Sequence, residues 1–520
     1  MIRFATISAS FTSLLLTAAS SYGQFEVTYP TIAGAEKSAS AVTADRRHMV
    51  AVLSGTTPSA LTVYRQVSDQ PSVAWDAVTS FALDSQAPYH YRVKSGKSTT
   101  WVAWQGQPTT GGTRTIQIRR VFPTVSPIET VTGSEGQASG FDLTIDDQDR
   151  PCVASFKTTT TAQPNIIPFI RVHRRSASGI WEYELAASYE EEMIAKPEEV
   201  AITARGNKLH VFDVAWAQIV FTGVTLRQST LYHTEIDAPA ALADATYTFR
   251  TVANETSNTS QGLRPAILHV SAAVAPNGSP AVSYSQSGSK QVKYSALNGS
   301  TWTGETLIQP SGEITAEYLD ETQIGIDPAG RAQIAWRSSN SGTLARSVPL
   351  GSGWSTKTVS NLKLANPSFT LDRLGNPHYS GVDLSTPGRV AALRASAITD
   401  ADGNGFTKLE EDAFLMSSGS NQNAPAQTIV TVDGKRYPAI RYYSSPEASA
   451  APANPFTNGG YQYTVEISTD LITWSAAPSA LVHYQSDVES PEHTMSVWRS
   501  SVSLDDNPKQ FLRMRVSRPD

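Results

Sequence analysis

Along most of the chain, apolar and polar residues alternate in short runs that Asp, Asn, Gly and Pro interrupt, and few runs follow helical spacing. Period two predicts strands. The strongest signal is an apolar strand, a turn with Asp early and Gly late, and a second apolar strand ending in an aromatic. Val274-Ala275-Pro276-Asn277-Gly278-Ser279-Pro280 leads to Val282-Ser283-Tyr284, and Ile326-Asp327-Pro328-Ala329-Gly330-Arg331-Ala332 leads to Ile334-Ala335-Trp336. Leu371 to Pro377 repeats the turn with Gly375, and Ile145 to Pro151 repeats it with Asp149 in the glycine slot. A third strand and a Gly-then-Trp step follow, at Gly299 and Trp302, at Gly353 and Trp354, and at Gly179 and Trp181.

Weaker copies run from Val42 to Val52, from Val93 to Trp104 and from Ile202 to Phe212, so the Asp slots fall at 43, 93, 146, 203, 275, 327 and 372. Seven four-stranded units of about fifty residues predict an all-β fold, a seven-bladed β-propeller, since radial repetition leaves few exposed sheet edges. An array of β-sandwiches is the alternative. The last unit stops near Ala397 with three strands, and the alternating segment Gln24 to Tyr29 is expected to supply its fourth and close the ring.

Past the repeats, Asp400-Ala401-Asp402-Gly403-Asn404-Gly405-Phe406-Thr407-Lys408-Leu409-Glu410-Glu411 has the spacing of a calcium loop. Asp400, Asp402 and Asn404 supply side-chain oxygens, Phe406 a backbone carbonyl and Glu411 a bidentate carboxylate, which suits Ca²⁺ in a structural role. Leu409 to Met416 reads as one short helix. From Ser417 the alternation resumes, with a hairpin turning at Asp433-Gly434 and strands near Tyr461 to Ser468, Met495 to Trp498 and Gln510 to Val516. These predict a small β-sandwich. The expected organisation is a leader over 1–23, a propeller over 24–397, a calcium loop and helix over 398–416 and a sandwich over 417–520.

Composition adds exclusions. Of 520 residues only 17% are charged, beside 33 Gly and 30 Pro, which disfavours long solvated helices. A net charge of −6 supplies no field for holding nucleic acid, so no nucleic-acid partner is expected. Met1-Ile2-Arg3 followed by the apolar run Phe4 to Ala19 and small residues before Gln24 reads as a secretory signal. No other stretch is long and apolar enough to span a bilayer. The mature chain is expected to be secreted or cell-surface, with a periplasmic location as the variant. The one cysteine, Cys152, follows Pro151 in an apolar run and reads as a buried small hydrophobe.

The blade pattern resembles secreted bacterial propellers of the sialidase-like (BNR-type) superfamily, over roughly residues 24–397. The resemblance implies fold only: Leu297-Asn298-Gly299-Ser300-Thr301-Trp302 keeps the Gly and Trp of the family's Asp-box but lacks its Asp. The arginine triad and Tyr-Glu pair of sialidases have no counterpart, so sialidase activity is not implied. Tyr463 to Trp474 and Phe511 to Val516 resemble a C-terminal module of secreted verrucomicrobial-type proteins, which implies export and surface display.

Ligand sites of a propeller are expected on the face that carries the connections between blades. There, Glu190, Glu191, Glu192, Glu198, Glu199, Glu313, Glu317, Asp320 and Glu321 predict an acidic rim, and an extended loop is expected from Trp216 to Arg227. Two functions fit. One is a glycan-binding or adhesion propeller engaging a glycan or an extracellular protein, with Trp216, Glu313 and Asp320 as binding candidates. The other is a polysaccharide hydrolase or lyase at the central pocket, with Arg264, His269 and Glu317 as catalytic candidates.

Overall fold

The computed structural model describes residues 25–28, 35–54, 60–67, 75–83, 90–106, 115–134, 140–158, 168–188, 199–221, 224–238, 241–258, 266–286, 291–308, 319–328, 330–338, 343–350, 353–372, 375–386, 388–395, 414, 423–444, 454–458, 461–470, 473–490 and 493–517. Among them the repeat forms seven antiparallel four-stranded blades. The seven inner strands are Ala35–Val42, Tyr91–Ser95, Phe141–Ile145, Val200–Arg205, Ile267–Val274, Leu319–Ile326 and the last part of Gly353–Leu371. Each packs against the next and the seventh against the first, so the ring is closed. Phe25–Thr28 pairs antiparallel with Val390–Ala395, from Phe25 opposite Ala395 to Thr28 opposite Ala392. It is the fourth strand of blade 7, as the unpartnered N-terminal segment required. Blades 6 and 7 share the strand Gly353–Leu371, whose first part pairs with Thr343–Leu350 and last part with Pro377–Asp383.

Local chemistry explains the tight turns. In blades 1, 3, 5, 6 and 7 the first turn residue donates its N–H to the carbonyl of the fifth, and the fourth donates back to the first, as in Asp327 to Arg331 and Gly330 to Asp327. The fourth residue has positive φ throughout: Arg46, Asp149, Gly278, Gly330 and Gly375. Asp327 also accepts from Arg331 Nε at 2.9 Å, and Asp146 from Arg150 Nε at 2.7 Å. Blades 2 and 4 turn differently. The slots read at Val93 and Thr203 lie inside strands, because blade 2 turns over Gly96 to Thr99 and blade 4 uses a two-residue hairpin, with Gly206 at φ 59°.

The core lies between blades. Leu209, Val211 and Ala215 of blade 4 pack on Cys152, Phe156 and Val172 of blade 3. Cys152 is fully buried, and burial pushes its thiol up, so it is a packing residue. Asp213 lies in the same buried strand segment, and neither carboxyl oxygen has a hydrogen-bond partner among the described residues. Burial pushes its carboxyl up to about 8. On the other side of blade 4, His210 Nδ1 lies 3.1 Å from His233 Nε2, with Phe212 and Trp302 around the pair. Burial lowers His210 to about 4 and His233 to about 3.

The segment expected as a loop from Trp216 to Arg227 is a β-ladder: Lys208–Phe221 and Val224–Asp237 pair over their whole length and extend beyond the inner strand. A second β-structure follows the ring. The sheet of Ala426–Val432, Lys435–Ser444, His493–Ser500 and Leu481–Ser490 and the sheet of Phe456–Asn458, Tyr461–Ser468 and Phe511–Ser517 bury Tyr442, Tyr463, Phe456 and Trp498 in one core. Phe414 joins that core. Asp433 and Gly434 both have positive φ, as a two-residue hairpin turn requires. The calcium loop over Asp400, Asp402, Asn404, Phe406 and Glu411 lies outside the described residues, as does the helix read over Leu409 to Met416 apart from Phe414.

Candidate functional site: the mouth of the central channel

The seven inner strands enclose a cavity of about 400 Å³. Its wall is not seven-fold regular. In blades 5, 6, 7 and 1 the inner strand carries one residue more than its partner at the end away from the tight turn. His269 and Val270 together oppose Tyr284, and Asn366 and Pro367 oppose Gly381. Glu36 and Glu321 are single insertions. These four blades are consecutive around the ring; the inner strands of blades 2, 3 and 4 pair without interruption. A β-bulge re-aims side chains and is common beside functional sites.

Two bulges place a non-glycine residue in the left-handed region: His269 at φ 54° and Asn366 at φ 47°. Neighbouring blades hold these conformations. Thr322 Oγ1 donates to the His269 carbonyl at 2.8 Å, and Ser283 Oγ donates to Thr322 Oγ1 at 3.3 Å. Glu199 Oε2 of blade 4 accepts from the Val270 N–H at 3.2 Å, while Oε1 lies 3.7 Å from His269 Nδ1. Opposite this bulge, Tyr284 donates to Glu255 Oε1 at 3.3 Å, and burial, then the Glu255 charge, pushes its phenol up. The blade 7 bulge is tied on both sides. Gln323 Nε2 donates to the Pro367 carbonyl at 2.7 Å, and Asn366 Nδ2 donates to the Glu36 carbonyl at 3.4 Å.

Charge is distributed unevenly around the wall. Lys37 of blade 1 and Arg92 and Lys94 of blade 2 line one side, and His269 with Glu199 the side across the ring. Arg92 Nε donates to Asp142 Oδ1 at 3.1 Å, and Asp142 Oδ2 accepts from the Ile202 N–H at 3.1 Å, so one carboxylate bridges blades 2 and 4. Hydroxyls and amides fill much of the remaining wall, among them Ser40, Ser271, Thr322 and Gln323. Such a surface can hydrogen-bond a polyhydroxylated ligand and pair with one anionic group.

Of the residues singled out from sequence, His269 and, from the expected acidic rim, Glu199 line the channel; Trp216 does not, being buried in blade 4 and paired with Ser229. Asp320 lies in the inner strand of blade 6, with its side chain outside the description. Arg264, Glu313 and Glu317 lie outside the described residues. The lining residues Lys37, Arg92, Lys94 and Asp142 were not anticipated; the one signal for the bulges was Pro367, a residue a continuous strand tolerates poorly.

No protein-family model matches the chain, and no curated protein matches it. Solved structures with similar folds include an ulvan lyase bound to -[GlcA(1-4)Rha3S]-, 10% identical over 71% of this chain and 95% of that one, at a TM-score of 0.45. An α-L-arabinofuranosidase from Fusarium graminearum with an iminosugar inhibitor is 11% identical over 61% and 93%, at 0.39. The Aleuria aurantia lectin in complex with Fucalpha1-6GlcNAc is 10% identical over 64% and 97%, at 0.37.

Proposed function

We propose that the protein is an exported glycan-binding propeller that takes a saccharide bearing an acidic group at the mouth of its central channel. The carrying observation is the placement of Lys37, Arg92 and Lys94 on one wall, across from the Glu199 and His269 pair. A carboxylate or sulfate would pair with the cationic wall, and ring hydroxyls would meet Ser, Thr and Gln side chains. The cavity, about 400 Å³, is at the small end of ligand sites and suits a short stretch of saccharide. The calcium loop belongs to this proposal as a structural site: Ca²⁺ should raise the melting temperature of the wild type and not of Asp402→Ala.

One observation favours a second reading, a polysaccharide-active enzyme. His269 is held in a left-handed conformation beside a carboxylate, an arrangement that could position an imidazole for proton transfer. A glycan array of uronate-bearing, sulfated and neutral saccharides, read together with a product assay, separates the readings. Binding confined to acidic saccharides, weakened by salt and reduced about tenfold or more in a Lys37→Ala, Lys94→Ala double variant, is expected. Equal binding of neutral saccharides would sink the acidic-ligand reading. Product formation lost in His269→Ala would make the protein an enzyme.

A further inference from the structure

The fourth residue of the repeated turn is glycine in blades 5, 6 and 7 and something else in blades 1 and 3, although all five turns need positive φ there. In blade 3 the exception has a partner. The Asp149 carboxylate accepts from the N–H and hydroxyl of Ser98 and from the N–H of Thr99, stitching blade 3 to blade 2. Burial opposes its ionisation, but these hydrogen bonds prevail and hold the carboxyl below its ordinary value. In blade 1 the exception is Arg46, at φ 61°. Its Nη2 donates to Tyr461 Oη at 3.0 Å, and its guanidinium carbon lies 5.8 Å from the centre of that ring. Tyr461 is part of the core of the C-terminal sandwich.

We infer that Arg46 is a latch that holds the C-terminal sandwich on the turn face of blade 1, and that this contact is why an arginine occupies a glycine position. The turn at Thr43 and the bulge at Glu36 are at opposite ends of the strand Ala35–Val42. Docking at Arg46 therefore puts the sandwich at the turn end of blade 1, opposite the end that carries its bulge. The strain of a left-handed arginine is accepted because its long side chain reaches an aromatic hydroxyl that glycine could not.

The test uses the full chain. Arg46→Gly restores the residue the turn prefers, so the melting temperature of the ring should stay level or rise. The longest dimension in small-angle scattering should increase, and thermolysin cleavage between ring and sandwich should quicken about tenfold, the loss of one charge-assisted hydrogen bond. Tyr461→Phe keeps the ring in its core and removes the hydroxyl, and should give a smaller change of the same sign. Wild-type scattering and cleavage in Arg46→Gly, or a lowered melting temperature of the ring, would overturn the latch. If Arg46→Gly does not fold, Tyr461→Phe decides: unchanged scattering and cleavage overturn it.

Discussion

Blades 2, 3 and 4 form a regular arc whose inner strands pair without interruption, whereas blades 5, 6, 7 and 1 form an arc in which every inner strand carries an extra residue. The regular arc spends its polar side chains on itself: Arg92 on Asp142, Asp142 on Ile202, Asp149 on Ser98. The bulged arc spends them on holding uncommon backbone, with Thr322 and Gln323 bound to main-chain groups of the bulges and Glu199 reaching one of them from blade 4. A repeat protein can thus line one channel with a regular arc and a bulged arc, both contributing side chains to its wall, without a change of fold.

Deletions probe this division most severely. Removing Leu143 from the regular arc turns the following inner-strand residue to the wrong face and empties a fully buried position. It should cost about 4 kcal/mol or more and leave little folded protein by circular dichroism. Removing His269 takes out one of the two residues that share a partner, and should leave a folded ring that melts within a few degrees of wild type. Equal collapse of both variants would mean that the bulges are structural necessities.

Next in size is Gly96→Ala, whose new Cβ would lie within 2.4 Å of Asp149 Oδ1. A loss of about 1–3 kcal/mol in denaturant melts is expected. Asp213→Leu removes an unpaired buried carboxyl and should stabilise by about 1–2 kcal/mol. Its pH signature has a definite sign. Asp213 keeps its proton in the folded state to about 8 but ionises near 4 when unfolded, so its contribution falls as pH rises between these values. His210 and His233 act the other way: lowered to about 4 and about 3, they withdraw stability as pH falls below about 6.5. Asp213→Leu should therefore remove the fall in melting temperature between about pH 6.5 and 8 and steepen its rise between about 4 and 6.5, where the carboxyl and the histidines oppose each other. The smallest effect is His269→Gly, which relieves a left-handed side chain and should gain about 1 kcal/mol while weakening saccharide binding.

The blades were legible because Asp-x-x-Gly turns and Gly-then-Trp steps are local chemistry, written where the chain turns. Closure by Phe25–Thr28 was legible too, since an alternating strand without a partner and a blade short of one strand fit each other. The slots at Val93 and Thr203 were misplaced because blades 2 and 4 close their first turn over four and two residues, where the other five blades use five. The site was harder to read. A bulge inserts one residue into an alternating pattern, and Glu36 or Glu321 has the look of an ordinary exposed position until the ladder is known. The cationic wall was hidden for a related reason: Lys37 and Arg92 are far apart in sequence and line the same side of the cavity only because blades 1 and 2 are neighbours.

The closing strand has a kinetic meaning. Phe25–Thr28 is near the start of the chain, and its partner Val390–Ala395 follows every other blade, so the ring cannot shut until the third strand of blade 7 exists. Folding is governed by the most distant pairing in the ring, and spontaneous opening should begin at the same short ladder. That seam falls inside the bulged arc, where Asn366 of blade 7 meets the Glu36 carbonyl of blade 1. A molecule bound across those two blades would act as a brake on unzipping, lengthening the lifetime of the closed ring even where it adds little to its depth of stability.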